Sequence, residues 1–536
     1  MANSITAGVP KDFVDPRSQV EKFPNAREHV EVLVIGAGPA GVAAAIEAAR
    51  LGAGVKLVDE NPVSGELIGM DVPLFYGGRA GSAVQAKARM LEQVIAANPR
   101  LEEAFEAGVD VALGVHAWGA FVSGPGLQSL PVPVVGLADE AEPWLCGFDR
   151  LILATGARDL VMFFDGADQP GVMGAQALHA LLARYDAFDG RSVVILGSDA
   201  LAVETAGLAL DRGVHVAALV EVRGEPQADV SALRARGVEI LCGHVIRSAE
   251  RGPFGVTGAI LSGSDGAERR VACDTVCLAV DRVPSVELLD VAGAQLVLDG
   301  TRGGYVPRLA ADGATSIPEI YVAGDCAGLR SGPVADAAAA EDRARSVARA
   351  VMASLGRTVE PADVPSSTRD GDRHAYRLDW MRALLACGDA DVLACQCEEV
   401  TRGELFGVRP PRYLGASSET IEKRDLTALI AEGSINQDQI KRITRACMGP
   451  CQARRCREQV AMMLAIGGGT GLEGVPLAGY RAPVRPLQLG LLARIEEMPA
   501  MREHWDVWFG IPTQWVPYAD IGTPQEAEYL GVNMHL

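Results

Sequence analysis

The chain has 536 residues, of which 49% are hydrophobic, 22% charged and 5% aromatic, a composition that excludes a disordered, collagen-like or disulfide-stapled protein. At roughly 100 to 200 residues per domain, this length predicts several folded units rather than one. The formal net charge of −20 repels phosphate backbones, so we expect no nucleic acid partner.

The N-terminal segment, residues 1–28, is polar and charged. We interpret it as an extension that is neither a secretion signal nor a membrane anchor, and no later stretch reaches the roughly 18 uncharged apolar residues of a transmembrane segment. The first of the 11 cysteines is Cys146, and five of them lie between Cys395 and Cys456. Because a secreted disulfide framework is not distributed in this way, the sequence predicts a cytoplasmic protein.

Residues 30–60 read as a strand, a glycine turn, an Ala-rich helix and a second strand. A GxGxxG motif joins the first strand to the helix, where glycines allow a tight turn, close approach to a pyrophosphate and close helix packing. The pattern predicts a dinucleotide site. Its turn and helix start are formed by Gly36, Gly38, Pro39, Ala40 and Gly41.

The second strand of this unit ends in two acids. We expect Glu60 to bind the ribose hydroxyls, since a carboxylate there accepts hydrogen bonds and repels a 2′-phosphate. Asp59 is the alternative for the same role.

A second strand–turn–helix–strand unit spans residues 191–221, but its motif is GxDxxA. Asp199 stands where the second glycine would be, and Ala202 replaces the third. A carboxylate at the start of a helix opposes a docking phosphate, so we predict a degenerate NAD(P)-binding unit.

Two further strand ends carry the motifs Ala154-Thr155-Gly156 and Gly324-Asp325. Together with GxGxxG they resemble the two-dinucleotide flavoproteins of the glutathione reductase type. The resemblance implies an α/β fold, an FAD site, and contact of Asp325 with the ribityl and pyrophosphate part of FAD. It also implies an FAD-binding domain over 29–157 and 303–356 and an NAD(P)-binding-like domain over 158–302.

The redox cysteine pair of that family is missing, because residues 61–74 contain no cysteine. This excludes a disulfide reductase. Cys273 and Cys277 lie in a strand-like run and Cys326 follows Asp325, and we interpret all three as core residues.

Residues 357–390 have a polar beginning typical of a linker, and residues 391–469 carry the cysteine cluster. Thiolates at this spacing indicate a metal centre, with the CxC pair on one iron and the CxxxxC pair on the other. The four ligands predicted in this way are Cys395, Cys397, Cys451 and Cys456. Cys447 is a fifth candidate that spacing alone leaves open.

The stretches CQCEEVT and IKRITRACMGPCQARRC resemble the bacterioferritin-associated ferredoxin-like [2Fe–2S] domain. The resemblance implies that Cys447 is an extra thiol, because Cys447 and Ala453 stand where that family usually has glycine. Tetrahedral zinc is the alternative; the flavin unit upstream favours iron, since it gives one-electron transfer a use.

The combination resembles the α subunits of heteromeric FAD/[2Fe–2S] amine dehydrogenases and oxidases, the group that includes opine oxidase, hydrogen cyanide synthase, proline dehydrogenase and sarcosine oxidase. That resemblance implies a β subunit that carries a second FAD and oxidises the C–N bond of an amino acid, an opine or a related amine. It also implies, as in some relatives, FMN at the subunit interface and a small additional subunit. The tail, residues 470–536, is rich in aromatic side chains and predicts a subunit interface.

Two other functions stay open at this stage. One is a stand-alone NAD(P)H-dependent FAD and iron–sulfur reductase, which Asp199 disfavours. The other is a non-catalytic scaffold with zinc in the cysteine segment. No catalytic acid, base or nucleophile can be assigned, because the eight histidines are scattered along the chain.

Overall fold

The computed structural model describes residues 25–63, 79–123, 130, 132–330, 337–359, 373–415, 423–495, 498–499 and 523–525. Its strands, numbered in chain order, are β1 (Glu28–Ile35), β2 (Val55–Asp59), β3 (Asp110–Leu113), β4 (His116–Phe121), β5 (Val134–Ala138), β6 (Pro143–Leu153), β7 (Ala157–Asp159), β8 (Val172–Gly174), β9 (Ser192–Leu196), β10 (His215–Glu221), β11 (Glu239–Cys242), β12 (His244–Gly252), β13 (Gly255–Gly263), β14 (Glu268–Val271), β15 (Thr275–Leu278), β16 (Arg282–Pro284), β17 (Leu296–Asp299), β18 (Gly304–Pro307), β19 (Ile320–Val322), β20 (Leu393–Cys395) and β21 (Val400–Thr401).

The α-helices of the described residues are numbered in the same way. They are α1 (Pro39–Arg50), α2 (Lys87–Ala97), α3 (Arg100–Glu106), α4 (Ala175–His179), α5 (Ala200–Asp211), α6 (Ser231–Ala235), α7 (Glu287–Val291), α8 (Ala337–Ser354), α9 (Arg373–Cys387), α10 (Arg402–Phe406), α11 (Leu426–Glu432), α12 (Gln437–Thr444), α13 (Arg457–Gly467) and α14 (Leu489–Leu492). None of them is long and apolar enough to cross a membrane.

The first unit is built on a seven-stranded sheet in the order β3-β2-β1-β6-β5-β4, with β19 paired to β6. Strand β1 is parallel to both neighbours, and Val34 lies opposite Leu57 on one side and Ile152 on the other. All three side chains are buried, as expected for a central strand covered on both faces. The carboxyl ends of β1, β2, β6 and β19 therefore meet at one edge of the sheet.

The second unit has a five-stranded parallel sheet in the order β11-β10-β9-β15-β8. A three-stranded antiparallel sheet of β12, β13 and β14 lies between β11 and β15 in the chain. One mixed sheet and one parallel sheet, each with its own glycine turn, confirm the predicted α/β class with two dinucleotide-binding units.

The segment expected to be a linker is partly helical. Residues 373–387 form α9, in which Tyr376, Trp380, Met381 and Leu384 are buried. These apolar side chains pack into the main core of the molecule. The described part of residues 357–390 therefore includes a packed helix, which the polar beginning of the segment did not reveal.

Three cysteines outside the cluster belong to the core, as the sequence predicted. Cys273, Cys277 and Cys326 are buried. Burial raises the pKa of Cys273 to about 12 and that of Cys326 to about 11, so these thiols stay protonated near neutral pH.

Candidate functional site

The first glycine turn lies at the edge of the seven-stranded sheet, between β1 and α1. Gly36 has φ of +107°, and a Cβ added there would lie 2.3 Å from the carbonyl oxygen of Ala154. At Gly41 an added Cβ would lie 1.8 Å from the carbonyl oxygen of Gly36. Both positions require glycine because of their own backbone neighbours.

Gly38 is different, because an added Cβ there would meet no atom of the chain within 4 Å. Gly38 precedes Pro39 at the start of α1, and the space beside it belongs to the cavity described below. The backbone N–H groups at a helix start are unpaired within the helix, so they suit an anionic group in that space. Ala40, one residue further along, lies under the GD turn: a Cβ at Gly324, which has φ of +77°, would be 2.9 Å from the Ala40 Cβ.

The two acids at the end of β2 have different surroundings. The Asp59 carboxylate accepts hydrogen bonds from the backbone N–H groups of Ala37 (2.6 Å) and Asn61 (2.8 Å). Asp59 therefore fixes the glycine turn. Glu60 forms an ion pair with Arg485 of the tail, with 2.5 Å between Oε2 and Nη2. Both acids line the cavity, so the choice of Glu60 for the ribose stays a prediction.

The other two motifs lie beside the turn. The N–H of Ala154 donates to the carbonyl oxygen of Ile35 over 2.8 Å, and Thr155 Oγ1 donates to the carbonyl oxygen of Ser285 over 2.8 Å. Gly156 follows with φ of +69°. Asp325 Oδ2 accepts a hydrogen bond from Arg282 Nη1 over 2.7 Å.

These motifs share one cavity of about 400 Å³, a size typical of a small-molecule site. Of the predicted site residues, the following line it: Gly36, Gly38, Asp59, Glu60, Ala154, Thr155, Gly156 and Asp325. Pro39, Ala40, Gly41 and Gly324 are not among its lining residues and support the turns around it.

Sequence reasoning missed several arginines of this cavity. Arg158, on β7, pairs with Glu287 (2.9 Å) and with Glu458 of α13 (2.9 Å), and it donates to the hydroxyl of Tyr480 (3.1 Å). Arg158 thus holds the cysteine segment and the tail against the cavity wall. Its partners are about 130 to 320 positions away along the chain, so no local pattern could reveal them.

The cysteine segment reaches the same cavity. Arg454 and Arg455, which lie between Cys451 and Cys456 in the sequence, line the cavity together with Val484 and Arg485 of the tail. The glycine-turn site and the loop that carries the thiols are therefore neighbours in space.

The five clustered thiols come together from two segments, residues 395–397 and residues 447–456. The sulfur of Cys456 lies 3.6 Å from that of Cys395 and 3.5 Å from that of Cys447. Cys397 and Cys451 form a separate pair: a hydrogen bond from the Cys451 thiol lowers the pKa of Cys397 to about 6, against the effect of burial, with a smaller contribution from the charge of Arg455.

The pairing differs from the expected one. The sulfur of Cys456 contacts Cys395 of the other motif and Cys447 of its own stretch, rather than Cys451. The approach depends on Gly449, because a Cβ there would lie 2.3 Å from the Cβ of Cys397. In the described parts of the chain, no group of three or more Cys, His, Asp or Glu side chains has its donor atoms arranged for a single metal ion.

The GxDxxA turn of the second unit carries a carboxyl group of its own. The Asp199 carboxylate accepts the N–H of Ala202 over 3.1 Å and caps α5. Burial raises the pKa of Asp199 to about 7, and the nearby charge of Asp281 adds to the shift. The carboxyl group thus occupies the helix start at which a pyrophosphate would bind.

Helix α9 covers the rest of this turn. The hydroxyl of Tyr376 donates to Glu221 at the end of β10 over 2.8 Å and accepts the N–H of Ser198 over 3.3 Å. Arg377 donates to Asp281 over 2.6 Å and to the carbonyl oxygen of Gly303 over 3.0 Å. Glu221, the acid placed like Glu60 of the first unit, is therefore fully buried beneath α9.

A family model described as pyridine nucleotide-disulphide oxidoreductase matches residues 30–353, which include both glycine turns and the GD motif. The chain belongs to this family. It is accordingly a flavin-dependent oxidoreductase, and the family supports FAD as the cofactor of the first unit.

The chain is also similar to curated relatives, and it shares its fold with a solved structure. An opine oxidase subunit of Agrobacterium tumefaciens (strain Ach5) is 28% identical over 87% of this chain and 92% of its own length. The alpha subunit of sarcosine oxidase from Corynebacterium sp. (strain P-1) is 27% identical over 67% of this chain and 37% of its own length. The L-proline dehydrogenase structure from P. horikoshii shares the fold, with a TM-score of 0.56 and 21% identity over 87% of this chain and 80% of that one.

Proposed function

We propose that the chain is the electron-transfer α subunit of a heteromeric dehydrogenase or oxidase that oxidises the C–N bond of an amino acid, an opine or a related secondary amine. A partner β subunit with its own FAD carries out that oxidation. When bound to the α subunit, FAD supplies two-electron chemistry and a [2Fe–2S] cluster supplies one-electron transfer. Relatives named as subunits of opine oxidase and sarcosine oxidase support a partner-dependent enzyme.

The observation that carries the proposal is the shared wall of the cavity. Arg454 and Arg455 line the space beside Gly38, and they stand in the loop between Cys451 and Cys456. A group held by these thiols would lie next to one held by the glycine turn. That neighbourhood is what a relay between two redox groups needs.

The residues of the first unit fit FAD. Gly38 leaves space for the pyrophosphate at the start of α1, and Glu60 and Asp325 both line the cavity. The donor set of the second site fits iron–sulfur chemistry, because five thiols from two segments of the chain meet in a mostly buried place. We assign the cluster to Cys395, Cys397, Cys451 and Cys456.

The stand-alone NAD(P)H reductase is the weaker proposal. Asp199 occupies the helix start, and Tyr376 takes the hydrogen bond of Glu221 that a ribose would need. We expect that the second unit binds no dinucleotide while α9 is in place. FMN at the subunit interface and a small additional subunit remain part of the proposal that rests on the resemblance alone.

The test uses the purified full-length chain. Flavin, iron and acid-labile sulfide are measured on one sample, which is then mixed anaerobically with NADH or NADPH in a stopped-flow instrument. We expect flavin, iron and sulfide to be present and neither nucleotide to bleach the absorbance. Addition of an amine substrate together with the partner β subunit should bleach it.

Two outcomes would contradict the proposal. Bleaching by NADH or NADPH within seconds would make the chain a stand-alone reductase. Stoichiometric zinc in place of iron and sulfide would remove the relay. As a control on the separate assignment of the two sites, Cys397→Ser should lose the iron and keep the FAD.

A further inference from the structure

The five thiols divide into a pair and a group of three, and the division is unequal for a cluster with two thiolates on each iron. Cys395, Cys447 and Cys456 form the group, with Cys456 in contact with both of the others at 3.6 and 3.5 Å. The other two, Cys397 and Cys451, come one from the CxC motif and one from the CxxxxC motif. Two sulfurs bound at about 2.3 Å to one tetrahedral metal lie about 3.8 Å apart, so the group has one thiol more than one iron uses.

Cys447 has an unfavourable backbone for a residue with a side chain. Its φ is +73°, in the left-handed region that favours glycine. In that conformation the Cβ approaches the following carbonyl oxygen too closely, and glycine alone avoids this contact. Glycine would relieve this strain, as it would at Arg445, Gln452 and Ala453 of the same loop.

The surroundings direct the Cys447 thiol to the cluster residues. Cys447 is buried, and its sulfur lies 3.5 Å from Cys456 Sγ and 3.9 Å from the amide nitrogen of Gln437. Gln437 is itself buried and fixed by a hydrogen bond to the carbonyl oxygen of Arg457 over 2.7 Å.

We propose that Cys447 is a reserve ligand. It binds the iron that Cys395 also binds whenever Cys456 is not bound to that iron. The inference rests on the proposed function, since it requires the iron–sulfur cluster. Exchange replaces one thiolate by another on the same iron, so no electron is gained or lost. We expect the Cys397–Cys451 pair to have no such reserve, because the sulfur of Cys447 contacts that of Cys456 instead.

The experiment compares single and double variants of the full-length chain. Iron and acid-labile sulfide per bound FAD are measured, together with the electron paramagnetic resonance spectrum after reduction with dithionite. Cys456→Ser should keep most of the cluster with a shifted spectrum, whereas Cys451→Ser should lose nearly all of it. The double variant Cys456→Ser with Cys447→Ser should lose the cluster as completely as Cys451→Ser.

Cys447→Gly is the matched control, because it removes the reserve and the strain together. It should keep the cluster with the spectrum of the unmodified chain. Bound FAD shows that each variant folds, and Cys397→Ser replaces Cys451→Ser if the latter binds none.

Two results overturn the inference itself. In the first, Cys456→Ser has as little iron per bound FAD as Cys451→Ser. In the second, the double variant keeps the cluster. If the unmodified chain holds no iron and sulfide, the proposed function fails and the reserve ligand fails with it.

Discussion

Asp199 offers a quantitative test of the second glycine turn. The pKa of its carboxyl group is raised from the ordinary 3.8 to about 7, mainly by burial and to a lesser extent by the charge of Asp281. The folded state therefore binds a proton that the unfolded chain releases, and stability falls as the pH rises from about 4 to about 7. At about 1.4 kcal/mol for each tenfold change in proton affinity, the penalty on folding is about 2 kcal/mol at pH 5.5 and about 4 kcal/mol above pH 8.

Asp199→Asn should remove this penalty and keep the cap, because an amide oxygen also accepts the N–H of Ala202. The stability advantage of the variant over the unmodified chain should be about 2 kcal/mol larger at pH 8.5 than at pH 5.5. Both unfolding free energies are measured by urea denaturation at each pH. Asp229→Asn is the control, since the exposed Asp229 accepts the N–H of Ser231 and its pKa is lowered. An Asp199→Asn difference that is the same at both pH values would refute the reasoning.

Other predictions follow from single contacts. Gly36→Ala should abolish FAD binding, measured by the flavin absorbance of the purified chain, because its Cβ would lie 2.3 Å from a carbonyl oxygen; Gly54→Ala, with open space around it, should not. Tyr376→Phe leaves the buried Glu221 without one donor and should lower the unfolding free energy at pH 8 by about 2 kcal/mol, whereas an unchanged value would contradict this role of the hydroxyl. Arg158→Met should loosen the contact of α13 with the cavity, seen as faster amide hydrogen exchange in that helix; unchanged exchange would contradict it.

The sequence predicted the features that are set by neighbouring residues. The first unit is an example: the apolar run of β1, the glycines after it and the acids at the end of β2 are close along the chain. Their spacing and apolar periodicity can therefore be read directly from the sequence. The two-unit α/β fold is confirmed for this reason. The roles of Glu60, Asp325 and the four cluster cysteines stay predictions, which the variants above test in part.

Contacts between distant segments could not be predicted. Helix α9 has an ordinary sequence, and nothing in it indicates that Tyr376 reaches Glu221, 155 positions earlier. The same holds for Arg485, which pairs with Glu60 from the far end of the chain. The sulfur pairing was also missed, because spacing within CxC and CxxxxC does not show that a turn around Gly449 interleaves the two motifs.

The two glycine turns differ in which groups occupy the helix start and bind the acid at the end of the following strand. In the first unit, Gly38 leaves the helix start open, and Asp59 accepts hydrogen bonds from Ala37 of the turn and from Asn61, so we expect the anion to come from outside the chain. In the second unit, the chain supplies both an acid at the helix start, Asp199, and a hydroxyl for the strand-end acid, Tyr376. Restoring glycine at position 199 would leave that hydroxyl in place, and removing the hydroxyl would leave the acid. We therefore expect that neither change alone lets the second unit bind NADH. Asp199 would still occupy the pyrophosphate position in one variant, and Tyr376 would still occupy the ribose position in the other.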